Sequence, residues 1–427
     1  MWSAVDVETW VSRRRSQLDA VHAPVHDIIE KVKNGGDAAL IELTEKFDKV
    51  HLDSVAVGED AIEAAYEKVD AQVTECLVEA EARISRFHEL QLPRGLWLNE
   101  TEPGITLGVK TTPLSRVGAY IPGGRAAYPS TALMCTVPAR IAGVPEICCC
   151  SPAPIQPLTL VALDIAGVHE IYQVGGAQAI AAMALGTETI EPVDKIVGPG
   201  NVYVTAAKMM LREYAEIDFP AGPSEIAIIA DENAVPAFVA ADILAQAEHD
   251  PHAACLLVAT DKDIADRVGA EVKKQLANAP RKEIIEKALA NSGYIVASDL
   301  REAVAISNTV APEHLSIQVT DPLPVLSGIR NAGAIFVGPY TPVACGDYAS
   351  GTNHVLPTAG YARQYSGLDV HHFCKTSSVQ IVDREGLESI GDIIETLARA
   401  EGLSAHADSV KIRREGAGSA GVGKKKC

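Results

Sequence analysis

At 427 residues the chain is too long for one ordinary hydrophobic core and implies two or more domains. Hydrophobic residues make up 47%, close to the average for a soluble globular protein, and no apolar run is long enough to cross a bilayer. Acidic residues outnumber basic ones, 56 against 37, and a formal charge of −19 argues against nucleic acid or an anionic membrane as partner.

The first residues, "MWSAVDVETWVSRRRSQLDAV", mix charges with apolar residues and lack the apolar stretch and cleavage site of a signal peptide, so a cytoplasmic location is expected. Residues 1 to about 90 read as helical: "DVETWVSRRRSQLDAV" and "AAYEKVDAQVTECLVEAEARISRFHEL" carry apolar residues at three- and four-residue spacing, punctuated by Gly35 and Gly36. From about 105 the texture changes. "EICCC", "EIYQV", "DKIVG", "EIAIIAD", "ACLLVAT", "GYIVAS", "HLSIQV" and "GAIFVG" read as strands, with Ala-rich helical stretches between most of them. That alternation predicts parallel sheets, and the strands outnumber what one open sheet needs, so two α/β units are expected. Strands so continuously apolar fit sheets covered on both faces. After about 370 strand signals thin out, and the chain reads as mostly helical before a Gly/Ala/Ser-rich tail ending "GVGKKKC". The nine cysteines include no CxxC pair. Adjacent Cys148, Cys149 and Cys150 lie in a predicted strand and read as reduced, core-filling thiols.

Three strand ends are rich in glycine: "VGAYIPGGRAAYPS", "YQVGGAQAI" and "IVGPGNVYVTAA". The last two run from strand through a glycine turn into a helix, which exposes backbone N–H groups suited to a pyrophosphate. None is the G-x-G-x-x-G fingerprint. Ligands of open α/β sheets bind beyond the carboxyl ends of the strands.

"ADILAQAEHDPHA" gathers polar residues in a helix that Pro251 should end near His249 or Asp250. Gln246 and His249 then share a face and offer an amide oxygen and an imidazole nitrogen, while Glu248 points elsewhere. Two ligands do not hold a metal well, and a helix-terminal His can equally be only a favourable charge. Further polar clusters are Glu313-His314 in "APEHLSI", Asp347 and His354 in "CGDYASGTNHVLPT", and Glu401 and His406 in "AEGLSAH". An Asp, a Gln and two His suit zinc or another borderline divalent ion. Glu313 and His314, adjacent in extended chain, should face opposite ways and serve two positions or two steps rather than one atom.

"RVGAYIPGG", "VGGAQAIAA", "VGPGNVYVTAAK", "AGPSEIAIIAD", "QAEHD", "APEHLSI", "GDYASGTNHVLPT" and "AEGLSAHADSV", in this order, closely resemble the histidinol dehydrogenase family from about residue 25 to 415. The tail beyond is unlike any shared motif. The resemblance implies two incomplete Rossmann-like parallel-sheet domains in a domain-swapped homodimer. The first would comprise 23–119 with 225–368 and carry the zinc and catalytic residues. The second, 120–224, would carry the NAD contacts. Small helical segments would lie at 1–22 and 369–427, with 416–427 a disordered tail. The implied activity is the NAD-dependent, zinc-requiring four-electron oxidation of L-histidinol to L-histidine through L-histidinaldehyde, the last step of histidine biosynthesis. One zinc per subunit would be held by Gln246, His249, Asp347 and His406. His314 would take the alcohol proton and Glu313 activate water. Tyr120, Gln178 and Asn201 match NAD-contacting positions. Ser224, His354 and Glu401 match substrate contacts, beside the metal ligands and His314. The tail-borne Glu401 and His406 would complete the partner's site. Rival readings are a related zinc/NAD dehydrogenase acting on a sulfonated diol, a cysteine-based aldehyde dehydrogenase using Cys135, and a non-catalytic nucleotide- or metal-binding protein.

Overall fold

The computed structural model describes residues 2–12, 18–123 and 127–416. These form two compact units: the chain up to Leu92 with Leu114–Phe373, and Pro93–Pro113 with the chain from Cys374 onward. The smaller unit was not legible. Its hairpin, β1 (Leu96–Glu102) and β2 (Ile105–Pro113), is joined by the antiparallel strand Cys374–Val382. The first and last of these strands are almost wholly exposed, and all three mix polar with apolar residues, so they show none of the apolar continuity that marks a buried strand. The mostly helical segment expected after 370 is two helices, Arg384–Ala400 and Ser404–Glu415, the first capped by the Asp383 carboxylate on the Gly386 N–H. Arg414 ties them through Glu388, Asp392 and Glu395. From 417 on, the expected disordered tail lies outside the described residues.

The larger unit holds two five-stranded parallel sheets. The first comprises β3 (Arg116–Tyr120), β4 (Glu146–Cys150), β5 (Glu170–Tyr172), β6 (Lys195–Val197) and the two-residue β7 (Glu216–Ile217), ordered β5-β4-β3-β6-β7. The second comprises β8 (Glu225–Ala230), β9 (Ala254–Ala259), β10 (Gly293–Val296), β11 (His314–Gln318) and β12 (Ala334–Val337), ordered β10-β9-β8-β11-β12. Both follow the doubly wound order 3-2-1-4-5, one strand short of the full Rossmann sheet. The growth direction therefore reverses between β3 and β6 and between β8 and β11. Every expected strand is present, and each sheet is covered by apolar clusters on both faces. The cysteine run shows the two-residue alternation: Cys148 and Cys150 pack with Ile180 and Met183, whereas Cys149 faces Leu133 and Cys135.

Two local expectations need correction. The apolar pattern over 64–90 is two helices, Glu59–Tyr66 and Ala71–Glu89, because Asp70 caps the second through the Gln72 N–H. The helix expected to reach His249 is Pro236–Ala247. It ends in a tightened turn, with the His249 N–H donating to the Gln246 carbonyl at 3.4 Å, so His249 lies beyond the helix rather than on its face. Gly36, at φ 50° and ψ −137°, does interrupt the helical path through Leu18–Asp48, as its sequence position suggested. Among the described residues no helix is long and apolar enough to cross a membrane.

Candidate active site

A cleft of about 2880 Å³ in the larger unit is lined by Tyr120, Gln178, Asn201, Ser224, Gln246, His249, Glu313, His314, Asp347 and His354. Glu401 and His406 belong to the smaller unit, where both are exposed. The first sheet meets the cleft at its carboxyl ends, as expected. The second contributes the amino ends of β8 and β11, because Glu225 and Glu313-His314 stand where those paired strands begin.

On the first sheet's side, Tyr120 closes β3 and its hydroxyl accepts the Gly176 N–H at 3.1 Å. Burial pushes this phenol up to about 12, so it stays protonated. Gly176 opens the helix Gly176–Leu185, which carries the buried Gln178. After β6 the chain turns at Gly198 (φ 112°), where a Cβ would stand 2.1 Å from the Tyr120 carbonyl oxygen; only glycine fits. Asn201 then caps the helix Val202–Met210, its Oδ1 accepting the Tyr203 and Val204 N–H groups at 2.9 and 3.2 Å. Both glycine turns thus aim helix N-termini into the cleft, the arrangement that suits a pyrophosphate.

Opposite stand Glu313 and His314. They are closer than a regular strand would place them: Nδ1 of His314 is 3.6 Å from Oε2 of Glu313. Glu313 precedes the first residue of β11, so the pleat does not yet separate the pair. Nδ1 of His314 also lies 3.2 Å from the Glu225 carbonyl oxygen. A carbonyl only accepts, so Nδ1 carries the proton and Nε2 the lone pair. That Nε2 is buried without a partner. Burial holds the imidazole far below its usual range, at about 3, so it is neutral at physiological pH. Burial drives the Glu313 carboxyl the other way, well above its ordinary value, with the neighbouring Glu225 and Asp347 charges adding to the rise. The Glu225 N–H donates to Oε2 of Glu313 at 2.7 Å and fixes its position.

The third side carries Gln246, His249 and Asp347. Among the described residues no three His, Cys, Asp or Glu groups gather as a metal site; here one of the three is an amide. The donors nonetheless fit a cation. Gln246 is 3% exposed, and both atoms of its amide are buried without hydrogen-bond partners. Such groups cost roughly 1–3 kcal/mol each unless a ligand meets them. Burial raises the Asp347 carboxyl to about 6. Desolvation by the cleft walls lowers His249, which favours the neutral form a metal ligand must have. His354 is held by the Asp347 carbonyl at 3.0 Å and by the Thr131 hydroxyl at 3.2 Å, which fixes its Nδ1–H tautomer. Burial lowers it to about 4.

Sequence reasoning missed Thr131 and Glu225. Thr131 carries no signal within an apolar helix. Glu225, a carboxylate opening a wholly apolar strand, could have been noticed. Cys135 is fully buried, and burial raises its thiol well above the usual range, which removes the basis for a cysteine nucleophile.

A neutral imidazole with an open lone pair, facing nucleotide-type turns, is what removing a proton and a hydride from an alcohol requires. It places the chain among the α/β dehydrogenases. The family model for histidinol dehydrogenase matches residues 11–414. Histidinol dehydrogenase of Methanosarcina barkeri is 51% identical over 404 residues, covering 94% of this chain and 93% of that protein. The Methanothermobacter thermautotrophicus enzyme is 52% identical, with 94% and 96% covered. The crystal structure of histidinol dehydrogenase from Elizabethkingia anophelis superposes with a TM-score of 0.93 at 40% identity, covering 97% of this chain and 98% of that one. The chain belongs to the histidinol dehydrogenase family.

Proposed function

We infer that the chain oxidises L-histidinol to L-histidine through L-histidinaldehyde, with NAD and one zinc ion per subunit, as the last step of histidine biosynthesis. The observation that carries this reading is the open Nε2 of His314 beside the Glu313 carboxyl, which burial raises well above its ordinary value, between the glycine turns and the unpartnered Gln246 amide. Gln246, His249 and Asp347 would hold the zinc, with His406 of the partner subunit as fourth ligand in a dimer with exchanged terminal segments. Tyr120, Gln178 and Asn201 would contact NAD; Ser224, His354 and the partner's Glu401 would contact substrate. When bound, the zinc would orient the amino and imidazole nitrogens of histidinol, and NAD would accept one hydride in each oxidation.

The chain's own groups move the protons. Nε2 of His314 takes the alcohol proton as the first hydride leaves, giving the aldehyde. Burial makes the imidazole a weak base, but its lone pair is never blocked by a proton near neutrality. Glu313, once ionised, takes a proton from the water that adds to the aldehyde carbon. His314 returns its proton to the aldehyde oxygen, completing the diol, then takes a hydroxyl proton as the second hydride leaves, and the carboxylic acid so formed ionises to the carboxylate. The two groups divide these tasks in sequence rather than by facing apart.

The test is NADH formation by the purified enzyme with L-histidinol, before and after chelation and after zinc is restored. Activity lost on chelation and recovered with zinc is expected. Turnover of a sulfonated diol but not of histidinol would overturn the assignment.

A further inference from the structure

Lys208 and Asp218 form an ion pair, each at most 5% exposed at its side chain, behind the Gly198 turn and outside the cleft lining. The pair grips one residue from both sides. Oδ2 of Asp218 accepts the Gly198 N–H at 2.8 Å, and Nζ of Lys208 donates to the Gly198 carbonyl at 3.0 Å. Oδ1 of Asp218 bonds Lys208 and accepts the Phe219 N–H at 2.7 Å. Lys208 stands on the helix that Asn201 caps, so the grip closes a short loop: turn, cap, helix and back to the turn. One turn earlier on this helix, the Thr205 hydroxyl donates to the Ala221 carbonyl at 3.1 Å, in the segment leading to Ser224.

A buried ion pair contributes little net stability compared with apolar packing, and its best-attested use is to specify one arrangement. Gly198 needs such specification. Its φ of 112° is one of many conformations open to glycine, and nothing in the residue itself selects it. We propose that Lys208 and Asp218 are positioning residues for the cofactor: they lock the Gly198 turn so that Asn201 and the helix N-terminus meet the dinucleotide in a fixed geometry. This rests on the placement of NAD at Tyr120, Gln178 and Asn201.

The experiment compares Asn201→Ala with the charge-free pair Lys208→Met/Asp218→Asn, which leaves no lone buried charge. The zinc-loaded full chain is titrated with NADH by fluorescence, without turnover. KM values for NAD and L-histidinol are measured alongside, and cooperative thermal melting checks folding. Both variants are expected to weaken NADH binding, the double variant about tenfold, from displacement of a positioned group. KM for NAD should rise in parallel while KM for histidinol stays within twofold. Lys208→Arg, which keeps the cation, should restore most of the affinity. If the double variant does not fold, Lys208→Gln serves, being too short to reach the Gly198 carbonyl, and a severalfold loss is expected. Parental NADH affinity in the folded clamp variant, with Asn201→Ala weakened, overturns the clamp alone. Parental affinity in Asn201→Ala overturns the cofactor placement and the clamp with it. An equal rise in both KM values would show a merely structural pair.

Discussion

His314 and Glu313 are neighbours driven in opposite directions by the same burial, and this sets their pH behaviour. A carboxyl raised above its usual range is protonated at acidic pH and becomes a base only as pH rises through its shifted value. The aldehyde step should therefore quicken with pH through a step lying above the ordinary carboxylate range of about 4. Glu313→Gln should lose that step from the pH–rate profile along with about a hundredfold or more of rate. A profile unchanged in Glu313→Gln would rule out its role. His314→Asn should lower kcat by about 10²–10⁴ while zinc content, measured by atomic absorption, stays at the parental level, since His314 is not among the proposed ligands. At this scale the residue types and motif order were legible, because chemistry needs particular side chains. The closeness of Glu313 to His314 was not. It depends on where β11 begins, which no local pattern fixes.

Among the elements, the helix Pro236–Ala247 brings Gln246 to the cleft and also buries Asp242, 6% exposed, one turn earlier. Desolvation raises the Asp242 carboxyl from 3.8 to about 6. With its folded value above its unfolded one, its protonated form favours the fold below about pH 4, and that contribution disappears as pH rises through about 6. Asp242→Asn should thus raise the melting temperature at pH 8, by at most about 3 kcal/mol of stability, and make no difference below about pH 4. A destabilised variant at pH 8 would mean that the ionised carboxylate is wanted there. The eight strand runs were readable because burial on both faces leaves only apolar residues to choose from. Helix ends were less so: Pro251 marks the limit of the Gln246 helix, yet the tightened last turn releases His249 from it two residues earlier than expected. The break at Asp70 shows the same effect, a local cap overriding a longer apolar rhythm.

For the whole molecule, the alternation of strands and helices gave two parallel sheets, but not that one presents its carboxyl ends and the other its amino ends to a shared cleft. That juxtaposition arises from tertiary packing. The three-stranded antiparallel sheet escaped notice because its outer strands are exposed and none of the three carries a continuous apolar run. The proposed exchange of terminal segments has a direct check. His406→Ala and Glu313→Gln chains, each nearly inactive alone, should recover about a quarter of parental activity when unfolded and refolded together in equal amounts. Half of the dimers would then pair one intact body with one intact tail, restoring one site of two. No recovery would mean that His406 serves its own chain or none. The most direct test of the central claim is to count NADH formed per L-histidinol consumed by the zinc-loaded enzyme. Two NADH, with histidine as the product, is the predicted result; one NADH with free aldehyde accumulating would contradict an arrangement in which His314 and Glu313 carry both oxidations in a single site.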